Sequence, residues 1–176
     1  MDLWQKELKS KLFPWIISYM CSGNIMRSPY AEKWSERLIS ERYPYLEGKI
    51  IFNSGGLRHQ NSYIHPDVKK LLLKENFDEK TIDSHQPKLF DNYIDFFAKT
   101  HIFIVMTAEH KNILKNKGKN NVYLLNEVGK GIQDDIKDPF YYPNSFNSIF
   151  RSIFENIELF VGKLNNFVAE IKEYNI

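Results

Sequence analysis

Trp15-Ile16-Ile17-Ser18-Tyr19-Met20-Cys21-Ser22-Gly23-Asn24-Ile25-Met26-Arg27-Ser28-Pro29 is the stretch around which the rest of the chain is arranged. An apolar, β-branched run ends at a cysteine. A short loop carries Gly23 and Asn24, and after Arg-Ser-Pro a helical pattern runs from Ala31 to Leu38. The reading is strand, loop, helix. Gly23 and Asn24 tolerate positive φ, which so short a reversal needs. Ser28 suits the N-cap and Pro29 the first helical turn. The N–H groups of such a loop converge and a helix N-terminus adds partial positive charge, so the pattern predicts an anion site between Cys21 and Arg27.

Outward from this stretch, strands and helices alternate. The first strand covers Trp15 to Met20, and the first helix runs from Ser28 to about Arg42, stopped near Pro44. Lys49 to Asn53 reads as a second strand, with Ser54-Gly55-Gly56 as a turn. Residues 57–64 form a polar, aromatic loop, and a helix starts at Pro66 and reaches about Asn76. Residues 81–95 read as turns with a short helix. His101 to Met106 is a continuous apolar run, hence a buried parallel strand. Thr107 caps a helix that ends before Gly118, and Asn121 to Leu125 is the fourth strand. Asn126 to Pro143 is a loop long enough to carry function. Ser145 to about Tyr174 is a helix with Ile149, Ile153, Ile157, Phe160, Leu164 and Phe167 along one face. At the other end, Leu3, Trp4, Leu8 and Leu12 fall near one face of a short helix over Asp2 to Leu12. Alternation of this kind predicts an α/β fold, a parallel sheet covered by helices on both faces, with ligands beyond the carboxyl ends of the strands. Residues 1–14 read as an N-terminal extension and residues 15–176 as one domain.

Composition narrows the function. The 176 residues carry 24 basic and 22 acidic side chains, a net charge of +2, which argues against nucleic acid or an anionic membrane as partner. Lys111, Lys115, Lys117 and Lys119 read as a solvated helix end. One cysteine permits no intrachain disulfide, and the absence of an Asn-x-Ser/Thr sequon likewise fits a reducing cytoplasm. Lys6, Lys9 and Lys11 precede an apolar run from Leu12 to Met20, but Pro14, Ser18 and Tyr19 interrupt it and no small-x-small site follows, so no signal peptide is expected. No apolar run is long enough to span a bilayer.

The spacing from Cys21 to Arg27 is C-x5-R. A lone cysteine is usually a buried structural residue, and the spacing alone is weak. Context lifts it: a strand before, Gly-Asn within, Ser-Pro and a helix after. With Ala31-Glu32, these residues resemble the phosphate loop of the low-molecular-weight protein tyrosine phosphatases. That family's second signature, Asp-Pro followed by aromatics, is matched by Asp138-Pro139-Phe140-Tyr141 on the long loop before the last helix. Asn53-Ser54-Gly55, His65-Pro66-Asp67, Ser84-His85 and Ile104-Val105-Met106-Thr107 stand between them in family order, and the resemblance covers roughly residues 15–170.

The resemblance implies a sheet order of 2-1-3-4 and a cofactor-free, metal-free phosphatase acting on phosphotyrosine proteins, with a cognate tyrosine kinase as its counterpart. Cys21 would be the nucleophile, since thiols beside a helix N-terminus and an arginine are held as thiolates. Arg27 would grip two phosphoryl oxygens with its planar fork. The backbone of Ser22, Gly23, Asn24, Ile25, Met26 and Arg27 would cradle the rest, and Ser28 would hydrogen-bond the sulfur as it leaves. Asp138 would protonate the leaving group and then activate water; Asp134 and Asp135 lack the following Pro and aromatics. Asn24, in a left-handed conformation, would bond Ser28, Ser54 and His85, although Ser54 and His85 read alone are equally ordinary turn residues. Ser22, Ile25, residues 57–63, Phe140 and Tyr141 would wall the pocket, unless the two aromatics are simply core.

Five departures stand out. Met26 occupies the position where the family often has a second cysteine, so peroxide is expected to drive Cys21 to irreversible oxidation; thiol-reversible recovery through an intrachain bond would contradict this. Lys88 replaces an arginine and Tyr142 a glycine. Thr107 and His110 differ from the Asp and Asn of many animal members and look more like bacterial ones. Arsenate reduction on the same fold is disfavoured because the thioredoxin-coupled form needs several cysteines. Phosphoarginine phosphatases tend to have Thr where Ile25 stands. A silent phosphate-binding module would not need Cys21, Arg27 and Asp138 together. Oligomeric state is not set by the sequence.

Overall fold

A computed structural model describes residues 1–173. Its centre is a four-stranded, all-parallel sheet in the order β2-β1-β3-β4. Strand β1 (Trp15–Cys21) lies between β2 (Ile50–Gly56) and β3 (Ile102–Val105), and β4 (Val122–Leu124) pairs with the outer side of β3. Side chains alternate across the sheet. Ile17, Tyr19 and Cys21 of β1 join Ile102 and Ile104 of β3 in one buried cluster, while Met20, Phe103 and Val105 join a second on the opposite face. The polar exception on the strand, Ser18, is buried against Thr100 with 2.8 Å between their hydroxyls.

The larger cluster is covered by α2 (Arg27–Arg42) and α8 (Phe146–Glu173). Tyr174, where the sequence pattern puts the end of the last helix, lies outside the described residues. Along α8, Ile149, Ile153, Ile157, Phe160, Leu164 and Phe167 are buried at helical spacing. The N-terminal helix α1 (Leu3–Lys9) packs on this face: Trp4 meets Phe160 edge-on at 5.2 Å, and Leu8 is buried. Leu3 and Leu12, expected on the same face, are exposed, because α1 stops at Lys9 and Leu3 points away from Trp4. Helices α3 (Pro66–Lys74), α4 (Glu79–Asp83) and α7 (Leu125–Lys130) add Val68, Leu72, Ile82 and Val128 to the same cluster. The smaller cluster is covered by α5 (Ile94–Phe97) and α6 (Ala108–Asn116), which contribute Phe97 and Leu114.

Among the boundaries that differ from the sequence expectation, three have a local reason that bears on the site. Strand β2 does not stop at Asn53. Ser54, Gly55 and Gly56 pair with Tyr19, Met20 and Cys21. The glycine pair that looks like a turn is a strand end under crowding, since a Cβ on Gly56 would stand 3.1 Å from the Ser22 carbonyl oxygen. Helix α2 begins at Arg27 with Met26 at the N-cap, not Ser28, whose hydroxyl is turned toward Cys21. The segment from Asn126 is not loop throughout. It opens with α7, where Glu127 folds back to accept from the Leu124 N–H at 3.0 Å and Gly131 ends the helix at φ 77°.

Candidate active site

Parallel strands place the carboxyl ends of β1, β2 and β3 at one edge, and the loop from Cys21 to Arg27 sits there. Cys21 is 3% exposed. Its Sγ lies 3.0 Å from the Ser28 hydroxyl and accepts from the Asn24 N–H at 3.3 Å. Among the described residues, nothing accepts from the backbone N–H groups of Ser22, Gly23, Ile25 or Met26. Four free donors beside a thiol, at the start of a 16-residue helix, make a cradle for an anion.

The loop is held by Asn24, which is fully buried at φ 55°. Its Nδ2 donates to Ser28 Oγ at 3.0 Å and Ser54 Oγ at 2.8 Å, while Oδ1 accepts from the Lys88 N–H at 2.9 Å. Ser54 gives its single proton to Glu32, which leaves its lone pairs for Asn24. Ser28, accepting from Asn24, has its own proton within reach of the sulfur at 3.0 Å and of the Gly55 carbonyl at 3.3 Å. His85 reaches the same residue differently from the sequence expectation. Its Nε2 lies 2.8 Å from the Asn24 backbone carbonyl, not the side chain, and since a carbonyl only accepts, that nitrogen carries the hydrogen. Burial lowers the His85 pKa to about 4, opposed by this bond. Glu32, next to Ala31 in the loop motif, has no role that the sequence alone assigns. It anchors the far end of the chain Glu32–Ser54–Asn24–Ser28–Cys21, and burial raises its pKa while the Ser54 bond opposes the rise.

Arg27 is 2% exposed and turned toward the segment after α7. One guanidinium nitrogen donates to the Ile136 carbonyl at 3.0 Å and the other to Asp138 Oδ2 at 2.5 Å. The second carboxylate oxygen of Asp138 accepts from the Phe140 N–H at 3.1 Å, and Pro139 stiffens the turn between them. The neighbouring acids lie elsewhere. Asp135 caps α6 by accepting from the Ala108 N–H at 2.7 Å, and Asp134 offers its carbonyl to Asn126.

Cys21, Arg27 and Asp138 face one cavity of about 500 Å³. Ile25, Met26, Phe140 and Tyr141 supply apolar wall, and the two aromatics are 70% and 74% exposed, so they are rim and not core. Residues Arg58, His59 and Asn61 of the 57–64 loop close another side. That loop is moored to the phosphate loop, since the Ser22 carbonyl accepts from Leu57, Arg58 and His59, and Asn61 Nδ2 donates to the Gly23 carbonyl at 2.7 Å. The fourth side is the start of α6. Thr107 caps it by accepting from the His110 N–H at 3.2 Å, Glu109 pairs with Arg58, and His110 is buried with Nε2 2.9 Å from Ser22 Oγ. Burial, Arg27 and Arg58 lower the His110 pKa to about 3. His110 Nδ1 is buried without a partner. With Nε2–H donating to Ser22, only a lone pair goes unmatched there, which costs less than a stranded N–H. Among the described residues no group of His, Cys, Asp and Glu side chains is placed to hold a metal ion.

The same residues place the chain among known proteins. The family model of the low molecular weight phosphotyrosine protein phosphatases matches residues 16–174. The chain belongs to this family. Its curated relatives include a protein-arginine-phosphatase of Geobacillus stearothermophilus, 28% identical over 86% of this chain and 94% of that one. They also include the low molecular weight protein-tyrosine-phosphatase PtpB of Staphylococcus haemolyticus, 25% identical over 84% and 96%. The crystal structure of YfkJ from Bacillus subtilis has the same fold, with a TM-score of 0.73 at 23% identity, covering 86% of this chain and 95% of that one. Family membership brings phosphoprotein substrates into view for the cavity. No described helix is long and apolar enough to cross a membrane.

Proposed function

We propose that this member of the family is a cytoplasmic phosphotyrosine-protein phosphatase that works through a phosphocysteine intermediate, with residues 15–176 as the catalytic domain and a tyrosine kinase as its opposing partner. What carries the reading is the convergence of Cys21, four free N–H donors, Arg27 and Asp138 on one cavity with an aromatic rim. The Cys21 thiolate attacks phosphorus, and the P–S bond forms as the P–O bond to the phenol breaks. The protonated Asp138 carboxyl gives its proton to the leaving oxygen. In the second step the Asp138 carboxylate takes a proton from water, whose oxygen attacks phosphorus, and the P–S bond breaks. The departing sulfur is met by the Ser28 hydroxyl at 3.0 Å. The free N–H groups and Arg27 hold the equatorial oxygens throughout, so the charge that shifts in the transition state meets fixed dipoles.

Phosphoarginine is the competing substrate, because one of the relatives is named for it. Three wall residues favour the phenyl ring: Ile25 offers the pocket no hydroxyl or charge, and Phe140 and Tyr141 present flat apolar surface at the mouth. The test is side-by-side hydrolysis of p-nitrophenyl phosphate, a phosphotyrosine peptide and a phosphoarginine peptide, with chelator present. Phosphotyrosine turnover that persists in chelator and disappears in Cys21→Ser is the expected result. Faster release from phosphoarginine would reassign the substrate, and activity surviving Cys21→Ser would overturn the mechanism.

A further inference from the structure

A second groove of about 540 Å³ adjoins the catalytic cavity, and the two share Met26, His65 and Phe140. Leu71 and Phe146 give it an apolar floor, and Lys70 and Lys74 of α3 stand along it. The lysines of α3 are treated very differently. Lys69 is locked between Asp83 at 2.7 Å and Glu79 at 2.9 Å. Among the described residues Lys70 has only Asp67 at 3.8 Å, an acid that itself lines the groove and lies equally far from His65, and Lys74 has no acidic partner. Lys70 and Lys74 are one helical turn apart, a like-charge spacing that works mildly against the helix. Lys74 suits the C-terminal end of α3, but Lys70, a turn earlier, does not gain from it. Two under-neutralised cations over an apolar floor, reached from the active site across Met26 and Phe140, match one kind of occupant: a short carboxylate side chain whose methylenes rest on the floor. Met26 is well suited to such a shared wall, being flexible and polarizable.

We propose that this groove is a specificity subsite for an acidic residue flanking the phosphoresidue of a polypeptide substrate, an inference that rests on the phosphatase reading above. A chain whose phosphorylated side chain enters the cavity at Cys21 crosses the shared wall, and its neighbouring Asp or Glu comes to Lys70 and Lys74.

The experiment uses a set of phosphotyrosine peptides in which one glutamate is moved through the flanking positions of an otherwise alanine sequence, with p-nitrophenyl phosphate as the flank-free control. Glutamate at one position should raise kcat/KM by about two- to fivefold over alanine, as expected for exposed ion pairs, and the gain should shrink with added salt. In Lys70→Ala/Lys74→Ala the gain should vanish, and in Lys70→Glu/Lys74→Glu it should invert, with p-nitrophenyl phosphate turnover unchanged in both. Titration of the same peptides into the Cys21→Ser protein should show the preference as affinity. Equal glutamate-to-alanine ratios in wild type and both variants, with p-nitrophenyl phosphate hydrolysed normally, would overturn the subsite alone. A wild-type protein that leaves p-nitrophenyl phosphate intact would instead overturn the phosphatase reading, and the subsite with it.

Discussion

The two halves of the active site are built on opposite principles. In the phosphate loop, Cys21, Asn24, Arg27 and Ser28 are all at most 3% exposed, and Asn24 alone ties the loop to Ser28, Ser54 and Lys88. The segment bearing Asp138 is loosely held by comparison. Ile132, Phe140, Tyr141 and Tyr142 are all about half exposed or more. Its deepest anchor is Ile136, whose N–H donates to the Met106 carbonyl at 2.7 Å and whose carbonyl accepts from Arg27. The half that receives charge is thus pre-organised, and the half that moves a proton hangs on the same arginine that must grip the phosphate. Arg27 serves two anions, and the comparison says they compete.

Asp138→Asn is the sharpest way to break that comparison. If Asp138 is only the acid, turnover of p-nitrophenyl phosphate falls about 10²- to 10³-fold and the inhibition constant of phosphate stays put. Because Asp138 also holds Arg27 at 2.5 Å, removing its charge should tighten phosphate and vanadate binding several-fold while kcat falls. Opposite movements of kcat and inhibitor affinity are the expected signature. Equal losses of both would make Asp138 a structural support for the loop.

Asn24→Ala attacks the other half. It removes the Nδ2 bonds to Ser28 and Ser54 and the Oδ1 bond from Lys88, and forces alanine to φ 55°. A destabilisation of about 2–4 kcal/mol by urea unfolding is expected, with weaker phosphate binding. Asn24→Gly should recover roughly 1 kcal/mol of this, the backbone share, without restoring phosphate affinity. Full recovery of affinity by glycine would mean that the side-chain bonds do not position the loop.

How much of this could be read in the chain follows the same division. The strand-loop-helix at Cys21 was legible because its chemistry is local: apolar run, flexible residues, helix. Its long-range fastenings were not. Glu32 looks like any polar residue on a helix until β2 brings Ser54 against it, and Gly55-Gly56 imitates a turn because crowding by the Phe97 and Met20 side chains at Gly55 and by the phosphate-loop backbone at Gly56 leaves no mark on the local pattern. Asp138 is legible through its Pro and aromatics, while its attachment to Arg27, 111 positions away in the chain, depends on the residues between them being folded. Likewise α7 was missed because its support, Glu127 folding back on Leu124 and Val128 against α8, is half tertiary. His110 stood out only as a departure from other family members, since a histidine in a helix gives no sign of burial until Ser22 and two arginines surround it.

His110 also supplies the smallest and most specific test of the pre-organised half. It is 1% exposed, faces Arg27 and Arg58, and bonds Ser22, with the carboxylate of Glu109 taken up by Arg58 on the rim. Its folded pKa of about 3 lies below the ordinary 6.5, so between those values the unfolded chain binds the extra proton. Stability from this residue is therefore present above about pH 6.5 and is lost as pH falls toward 3. The loss attributable to it between about pH 7 and about pH 5.5 is roughly 1 kcal/mol. His110→Asn keeps a partner for Ser22 and removes the titration, so its stability should fall less steeply over that interval even if it starts lower at neutral pH. Urea unfolding at several pH values separates the two effects, because burial sets the offset between the curves and proton linkage sets their difference in slope. Parallel curves would mean that His110 binds its proton alike in the folded and unfolded chain, so that burial does not hold it neutral; a steeper fall in His110→Asn than in wild type would mean that it is protonated in the folded state, and a charged imidazolium beside Arg27 would then belong to the phosphate cradle itself.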